Sequence, residues 1–180
     1  MTRSFQLAGA LLLAPILAAA QAMPTDSARF PQVEGKNLQE RTMRLPADFA
    51  GERNLVLIAF QRAQQADVDT WMPFAQSLAS RDSSLRYYEL PVLGSGYTII
   101  RGWIDGGMRG GIPDTAARAR TITLYIHKFP FRQALGLGKE NTIYAVLVDK
   151  AGLVLWRASG VYTEEFGAEL ENVLGLSAKP

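Results

Sequence analysis

The stretch Gly94–Arg120, GSGYTIIRGWIDGGMRGGIPDTAARAR, concentrates the residues best suited to chemistry. Seven glycines fall between Gly94 and Gly111, interleaved with Arg101, Arg109, Arg118 and Arg120 and the acids Asp105 and Asp114. Glycine lets backbone donors close on a ligand, and guanidinium forks match carboxylates and phosphates. The pattern predicts an anion or partner site with Trp103, Asp105, Arg109, Asp114 and Arg118 as its contacts, Trp103 being the tryptophan placed to face a partner. The competing reading is a flexible connection whose arginines and aspartates pair with one another. The spacing contains neither the Gly-Lys-Ser/Thr of a phosphate loop nor a dinucleotide fingerprint.

Other chemistries find little support. The chain has no cysteine, which excludes thiol-disulfide exchange, thiol peroxidase activity and lipidation of a lipoprotein type. His127 is the only histidine, so a transition-metal site lacks ligands and a general base would have to act alone; it reads as a surface or packing residue. No Gly-x-Ser-x-Gly elbow is present, and the scattered carboxylates make no hard-cation site. No catalytic residue, metal or cofactor is therefore assigned, and binding is favoured over enzymatic activity.

The elements that must position these residues are legible in part. Leu55–Phe60 is a short continuous apolar run, the mark of a strand buried on both faces. A helix over Asp67–Ser80 follows, with Trp71, Phe74, Ala75 and Leu78 at helical spacing; Asp67 or Asp69 is expected to cap it, with Pro73 near its first turn. Leu85–Leu93 is a second strand, and Thr121–Ile126 a third with Ile122, Leu124 and Ile126 on one face. Ile143–Val148 and Leu153–Arg157 form a hairpin turned by Gly152. Thr163 caps a last helix, with Glu164 and Glu165 in its first turn, a stripe of Phe166, Leu170, Val173 and Leu174, and Gly175 at its end.

The N-terminus carries the three parts of a secretory signal over residues 1–22. Arg3 supplies a charge, Leu7–Ala20 is uncharged and apolar, and Ala20-Gln21-Ala22 is a small-x-small cleavage site. An uncleaved membrane tether is the alternative, but the run is short and interrupted by Pro15. No later segment is apolar enough to span a bilayer. With a net charge of +2 over 180 residues, there is no electrostatic case for nucleic acid. The expected product is a soluble periplasmic or secreted protein: a polar lead-in over 23–40, then one α/β domain over 41–176 with an insert at 94–120.

Two segments carry a family resemblance. Phe30-Pro31-x-Val33-x-Gly35-Lys36-Asn37-Leu38, Leu45-Pro46-x-x-Phe49-x-Gly51 and Leu55–Phe60 resemble the lead-in of thioredoxin-like and peroxiredoxin-like proteins. Val148-Asp149-x-x-Gly152-x-Val154-x-Trp156-Arg157-x-x-Gly160 resembles their closing hairpin. The resemblance implies a thioredoxin-like α/β fold, a central mixed sheet flanked by helices, with the Gly/Arg-rich insert before the last strands. Within that superfamily the layout is most similar to the mitochondrial ATP-synthase assembly-factor family and its bacterial relatives. That similarity implies an assembly or chaperone-like role toward an envelope protein, such as a membrane complex under assembly. The redox relatives carry Cys-x-x-Cys where the central strand meets its helix. Here the stretch reads Gln61-Arg-Ala-Gln-Gln-Ala66, whose Gln61 and Gln65 are taken as a second partner contact at a helix N-terminus with free N–H donors. Asn141-Thr142 stands where those relatives place a proline before the hairpin. A small-anion binder or non-thiol enzyme using Arg109, Arg118 and His127 is the alternative function.

Overall fold

The strand at the centre of the molecule is β3 (Arg53–Ala59), whose Leu55, Val56, Leu57 and Ile58 are all fully buried. Such a run has no polar face to turn to water, so both sides of the sheet must be covered. The structure is a computed structural model describing residues 28–176, with only the backbone of Ile100, Arg101 and Trp103. The signal segment expected at 1–22 lies outside the described residues.

Parallel pairing joins β3 to β4 (Leu85–Gly94), and β4 to β5 (Ile122–Ile126). On the other side β6 (Tyr144–Asp149) runs antiparallel to β3, and β7 (Val154–Ser159) completes the hairpin. Gly152, at φ +80°, makes the turn as expected, since a side chain there would be strained and would strike Pro46. The polar lead-in is not a loose segment. It contributes β1 (Val33–Asn37), which with β2 (Thr42–Leu45) forms a hairpin on the edge of β5. The resulting order is β2-β1-β5-β4-β3-β6-β7.

Helix α1 (Gln65–Arg81) and the segment between β4 and β5 cross on one face, consistent with the right-handed rule for both parallel connections. Helix α1 buries Val68, Trp71, Ala75 and Leu78 with Leu170 and Leu174 of α5 (Glu164–Leu174). Trp71 anchors this face: it is fully buried, donates Nε1–H to the Gly160 carbonyl at 3.0 Å, and lies 5.3 Å from the Tyr162 ring. Truncating a tryptophan so placed costs about 3–5 kcal/mol. The opposite face holds Phe30, Phe49, Phe60, Tyr88 and Leu124 beneath α4 (Lys128–Ala134) and its Phe131.

Several expectations are corrected. Helix α1 starts two residues earlier than expected; neither Asp67 nor Asp69 caps it, and a 3-10 turn over Arg62–Gln64 leads into it. Pro73 therefore lies two turns inside, where it withholds an N–H from the Asp69 carbonyl. Thr163 does cap α5, accepting from Phe166 N at 3.2 Å, and Gly175 ends it at φ +70°. Val173, expected in the stripe, is 45 % exposed, and Gly167 lies against Tyr162 instead. Helix α4 has no counterpart in the sequence reading. The Gly-rich insert is helical: a 3-10 segment at Ser95–Ile100, α2 (Arg101–Gly111) and α3 (Thr115–Arg120).

Candidate functional site

The C-terminal end of β3 is where redox relatives would hold their thiols. Gln61 and Gln64 stand there three residues apart, the spacing of a Cys-x-x-Cys pair. Gln64 is buried, and its Oε1 accepts from the Phe60 N–H at 2.8 Å and the Gln61 N–H at 3.1 Å. Its Nε2 donates to the Glu140 carbonyl at 2.8 Å, and Gln61 Nε2 donates to the same oxygen at 3.1 Å. One side chain thus satisfies donors that the turn would otherwise present, a service performed elsewhere by an N-cap. These bonds close the turn ahead of the helix; α1 itself begins without a side-chain cap. Gln64 was missed in the sequence reading; its spacing from Gln61 was the available signal. Gln65 points elsewhere, donating to Asp69 at 3.0 Å and Glu89 at 3.4 Å.

An ion-pair cluster braces this end from α4. Lys128 Nζ reaches the Phe60 carbonyl at 3.2 Å and Glu140 Oε2 at 3.1 Å, while Arg132 Nε reaches Glu140 Oε1 at 3.3 Å. His127 precedes Lys128, exposed, and makes no side-chain cap.

The insert's charged residues hold it to the sheet edge. Arg109 donates Nε to the Leu38 carbonyl at 2.9 Å and pairs with Glu40 at 2.8 Å. Arg118 donates to the carbonyls of Ile112 at 2.6 Å and Arg109 at 3.0 Å, tying α3 to the end of α2. Asp114 caps α3, accepting from Ala116 N at 2.9 Å and Ala117 N at 3.1 Å, and Asp105 accepts from the Tyr125 hydroxyl at 2.8 Å. Asp105 and Asp114 thus serve separate elements. Arg109 and Arg118 do meet, lining a shallow groove of about 350 Å³ with Glu40. Trp103 lies on α2, and its side chain is outside the description. A Cβ at Gly102, Gly106, Gly107, Gly110 or Gly111 would meet nothing within 4 Å, so close approach does not explain these glycines.

Between α1 and α3 lies one perturbed acid. Burial raises the Glu89 carboxyl above its ordinary range; the Gln65 amide opposes this, Asp69 adds to it and Arg120 opposes it. Arg120 covers the Tyr87 ring at 4.6 Å, and its Nε is buried without a hydrogen-bond partner among the described residues.

Together, a mixed seven-stranded sheet with α1 and α5 on one face and α4 on the other is a thioredoxin-like fold. No protein family and no curated protein matches the sequence. Solved structures do match in fold. BsSco, a member of the Sco family of cytochrome c oxidase assembly proteins, superposes with a TM-score of 0.54 at 11% identity, covering 84% of this chain and 96% of its own. The exposed lipoprotein thioredoxin Etrx1 of Streptococcus pneumoniae strain TIGR4 gives 0.51 at 15% identity over 81% and 100%. A thioredoxin-like protein from Porphyromonas gingivalis gives 0.52 at 17% identity over 83% and 92%. Identities this low speak to the fold alone.

Proposed function

We propose that this chain is an exported, non-redox thioredoxin-like protein that works by binding, as an assembly or chaperone-like factor for an envelope protein. The observation that carries the reading is the exposed apolar end of the sheet. Gly94 and Ile126 are register partners, so the segments following β4 and β5 leave the sheet side by side. Those segments expose Tyr97 (53 %), Ile99 (94 %) and Phe129 (62 %), large side chains that a partner could cover. The same end carries Gln61, whose turn is sealed by amides rather than opened for thiols. On this reading Asp105, Arg109, Asp114 and Arg118 hold the insert in shape, and Trp103, Tyr97 and Ile99 meet the partner with Gln61 and Gln65 beside them. Assembly is the role named for the Sco family, and the resemblance to ATP-synthase assembly factors suggests a membrane complex as the client. Among the described residues no helix is long and apolar enough to cross a membrane.

A small-anion site on Arg109 and Arg118 has less support. Two nitrogens of each arginine are spent on carbonyls or on Glu40, and Glu40 lines the same groove.

The test is in-cell crosslinking and affinity purification from detergent-solubilised envelope, comparing wild type with Ile99→Asp/Phe129→Asp. A discrete partner lost in the variant, with its thermal transition retained, is the expected result. The same partner recovered equally from the variant, or no partner at all, would sink the reading.

A further inference from the structure

Beneath the insert, on the face of the sheet where α1 and α5 pack, is a polar cavity that the binding reading does not use. It has a volume of about 120 Å³ and lies between Glu34, Gly35 and Lys36 of β1, Thr123 and Tyr125 of β5, and Thr98 and Asp105 of the insert. One water needs only ~10–15 Å³ measured this way, so the space accepts several waters or one small molecule.

Two features distinguish it from a gap between elements. Thr123 is 1 % exposed and its Oγ1 has no hydrogen-bond partner among the described residues, whereas the hydroxyl of Thr121, two residues before, donates to the Ala117 carbonyl at 3.0 Å. A buried hydroxyl left unpaired is destabilising, and valine would fill the same strand position without that cost. The second feature is the distribution of charge. Tyr125 occupies one oxygen of Asp105, and no other bond to this carboxylate is made among the described residues. Thr98 donates its proton to the Ser95 carbonyl at 2.6 Å, so its oxygen is left as an acceptor. These acceptors favour a donor-rich group such as an ammonium. Lys36 is the register partner of Thr123, and cross-strand partners share a face, so its side chain lines the same cavity and brings a positive charge within reach of it. Glu34, which also lines it, is paired with Arg44 at 3.8 Å.

We propose that this cavity binds a small zwitterion of the size of glycine or alanine, with its ammonium on Asp105, Thr98 and Thr123 and its carboxylate toward Lys36. Thr98 lies between Tyr97 and Ile99, so the cavity adjoins the exposed apolar end, but its ligand is read without any partner present. Because it is roofed by the insert, its occupancy would stabilise that segment, as a ligand that binds only the folded form does.

Thermal unfolding of the full chain, titrated with glycine, alanine and serine, tests this. Ethylammonium and acetate supply each charge alone. The expected result is a saturable rise in Tm with at least one amino acid and none with the single-charge controls. Asp105→Asn, which keeps an acceptor for Tyr125, should weaken binding by about tenfold or more. Lys36→Met, at an exposed position, should weaken it without altering the ligand-free Tm. Thr123→Val should raise the ligand-free Tm and reduce the response. No saturable rise with any amino acid overturns the proposal, as does equal binding by Asp105→Asn. Ethylammonium binding as well as alanine overturns the zwitterionic assignment. A ligand-free Thr123→Val that unfolds earlier than wild type would mean that water satisfies the hydroxyl, and would overturn the argument from Thr123.

Discussion

Replacing Gln64 by leucine asks whether the amide network closes the end of β3 or merely decorates it. Leucine approximates the volume, so packing is largely conserved while three hydrogen bonds are lost: two accepted, at 2.8 and 3.1 Å, and one donated, at 2.8 Å. A typical intramolecular hydrogen bond contributes about 1 kcal/mol net, and a buried donor left unpaired costs ~1–3 kcal/mol. The Phe60 N–H is the buried one, since Phe60 is 2 % exposed, whereas Gln61 is exposed and its N–H can turn to water. The Glu140 carbonyl keeps the Gln61 amide at 3.1 Å. Summing one fully orphaned donor and two partly compensated bonds gives a loss of about 2–4 kcal/mol. Urea unfolding followed by tryptophan fluorescence reads this as a lower midpoint at an unchanged m-value. A loss below about 0.5 kcal/mol, the scatter of ordinary surface substitutions, would show that solvent supplies these bonds and that the turn is open.

Two ionisable groups give pH-dependent predictions of opposite sign. Glu89 has its folded pKa raised, so its ionisation opposes folding: the stability present at acid pH is lost as pH rises through the raised pKa. Glu89→Gln should therefore be more stable than wild type at neutral pH and equal to it at low pH; a variant less stable at pH 7 would show that the Arg120 interaction outweighs burial. Asp82 has its pKa lowered, by the Ser84 hydroxyl first and then by the Ser84 N–H and Arg53, against the opposing effect of burial. Its contribution is present at neutral pH and lost as pH falls below the ordinary carboxylate range, so the unfolding midpoint of Asp82→Asn should show less acid dependence than that of wild type. Unaltered acid dependence would count against the Asp82–Arg53 bond at 2.6 Å as a source of stability.

Where local chemistry and packing agree, the sequence was legible. The Leu55–Phe60 run, the Trp71 stripe, the Gly152 turn and the Thr163 and Gly175 caps each specify their element through one strong local preference. Strand β1 of the lead-in was not legible because its buried positions are Gly35 and Asn37. Gly35 must lack a side chain, as a Cβ would come within 2.6 Å of Leu124 Cδ2 and 2.7 Å of the Thr123 carbonyl. Asn37 is buried as a linker, accepting from Gln39 N at 3.0 Å and Arg41 N at 2.9 Å and donating to the Ala119 carbonyl at 3.2 Å. Neither residue leaves a hydrophobic alternation to read. Helix α4 is seven residues long with a proline inside, too short for periodicity to emerge. The residue types of the insert drew attention to that segment, but the task of its charged groups reads differently once folded. Guanidinium groups that suit a ligand suit backbone carbonyls equally, and sequence does not distinguish the two.

The insert is also where opposing effects come nearest to balance. Helix α2 carries glycine at five of its eleven positions, Gly102, Gly106, Gly107, Gly110 and Gly111, each with open space around it. At about 1 kcal/mol per glycine relative to alanine, α2 starts roughly 5 kcal/mol behind an alanine-rich helix. Against this stand two bonds from Arg109, two from Arg118 and one to Asp105, with the Asp114 cap steadying the neighbouring α3. At about 1 kcal/mol each, these five bonds contribute some 5 kcal/mol, less where the groups are exposed. Removing both arginines should then melt α2 while the sheet, with its two cores, keeps a cooperative transition. Hydrogen exchange on Arg109→Ala/Arg118→Ala should show loss of protection over 101–120 and little change in β3 or β6. Gly106→Ala/Gly107→Ala should move protection the other way, by roughly 1–2 kcal/mol of added helix stability. If the double-arginine variant instead lost its whole thermal transition, the insert would be part of the core, and a surface poised to reshape around a partner would be the wrong description of it.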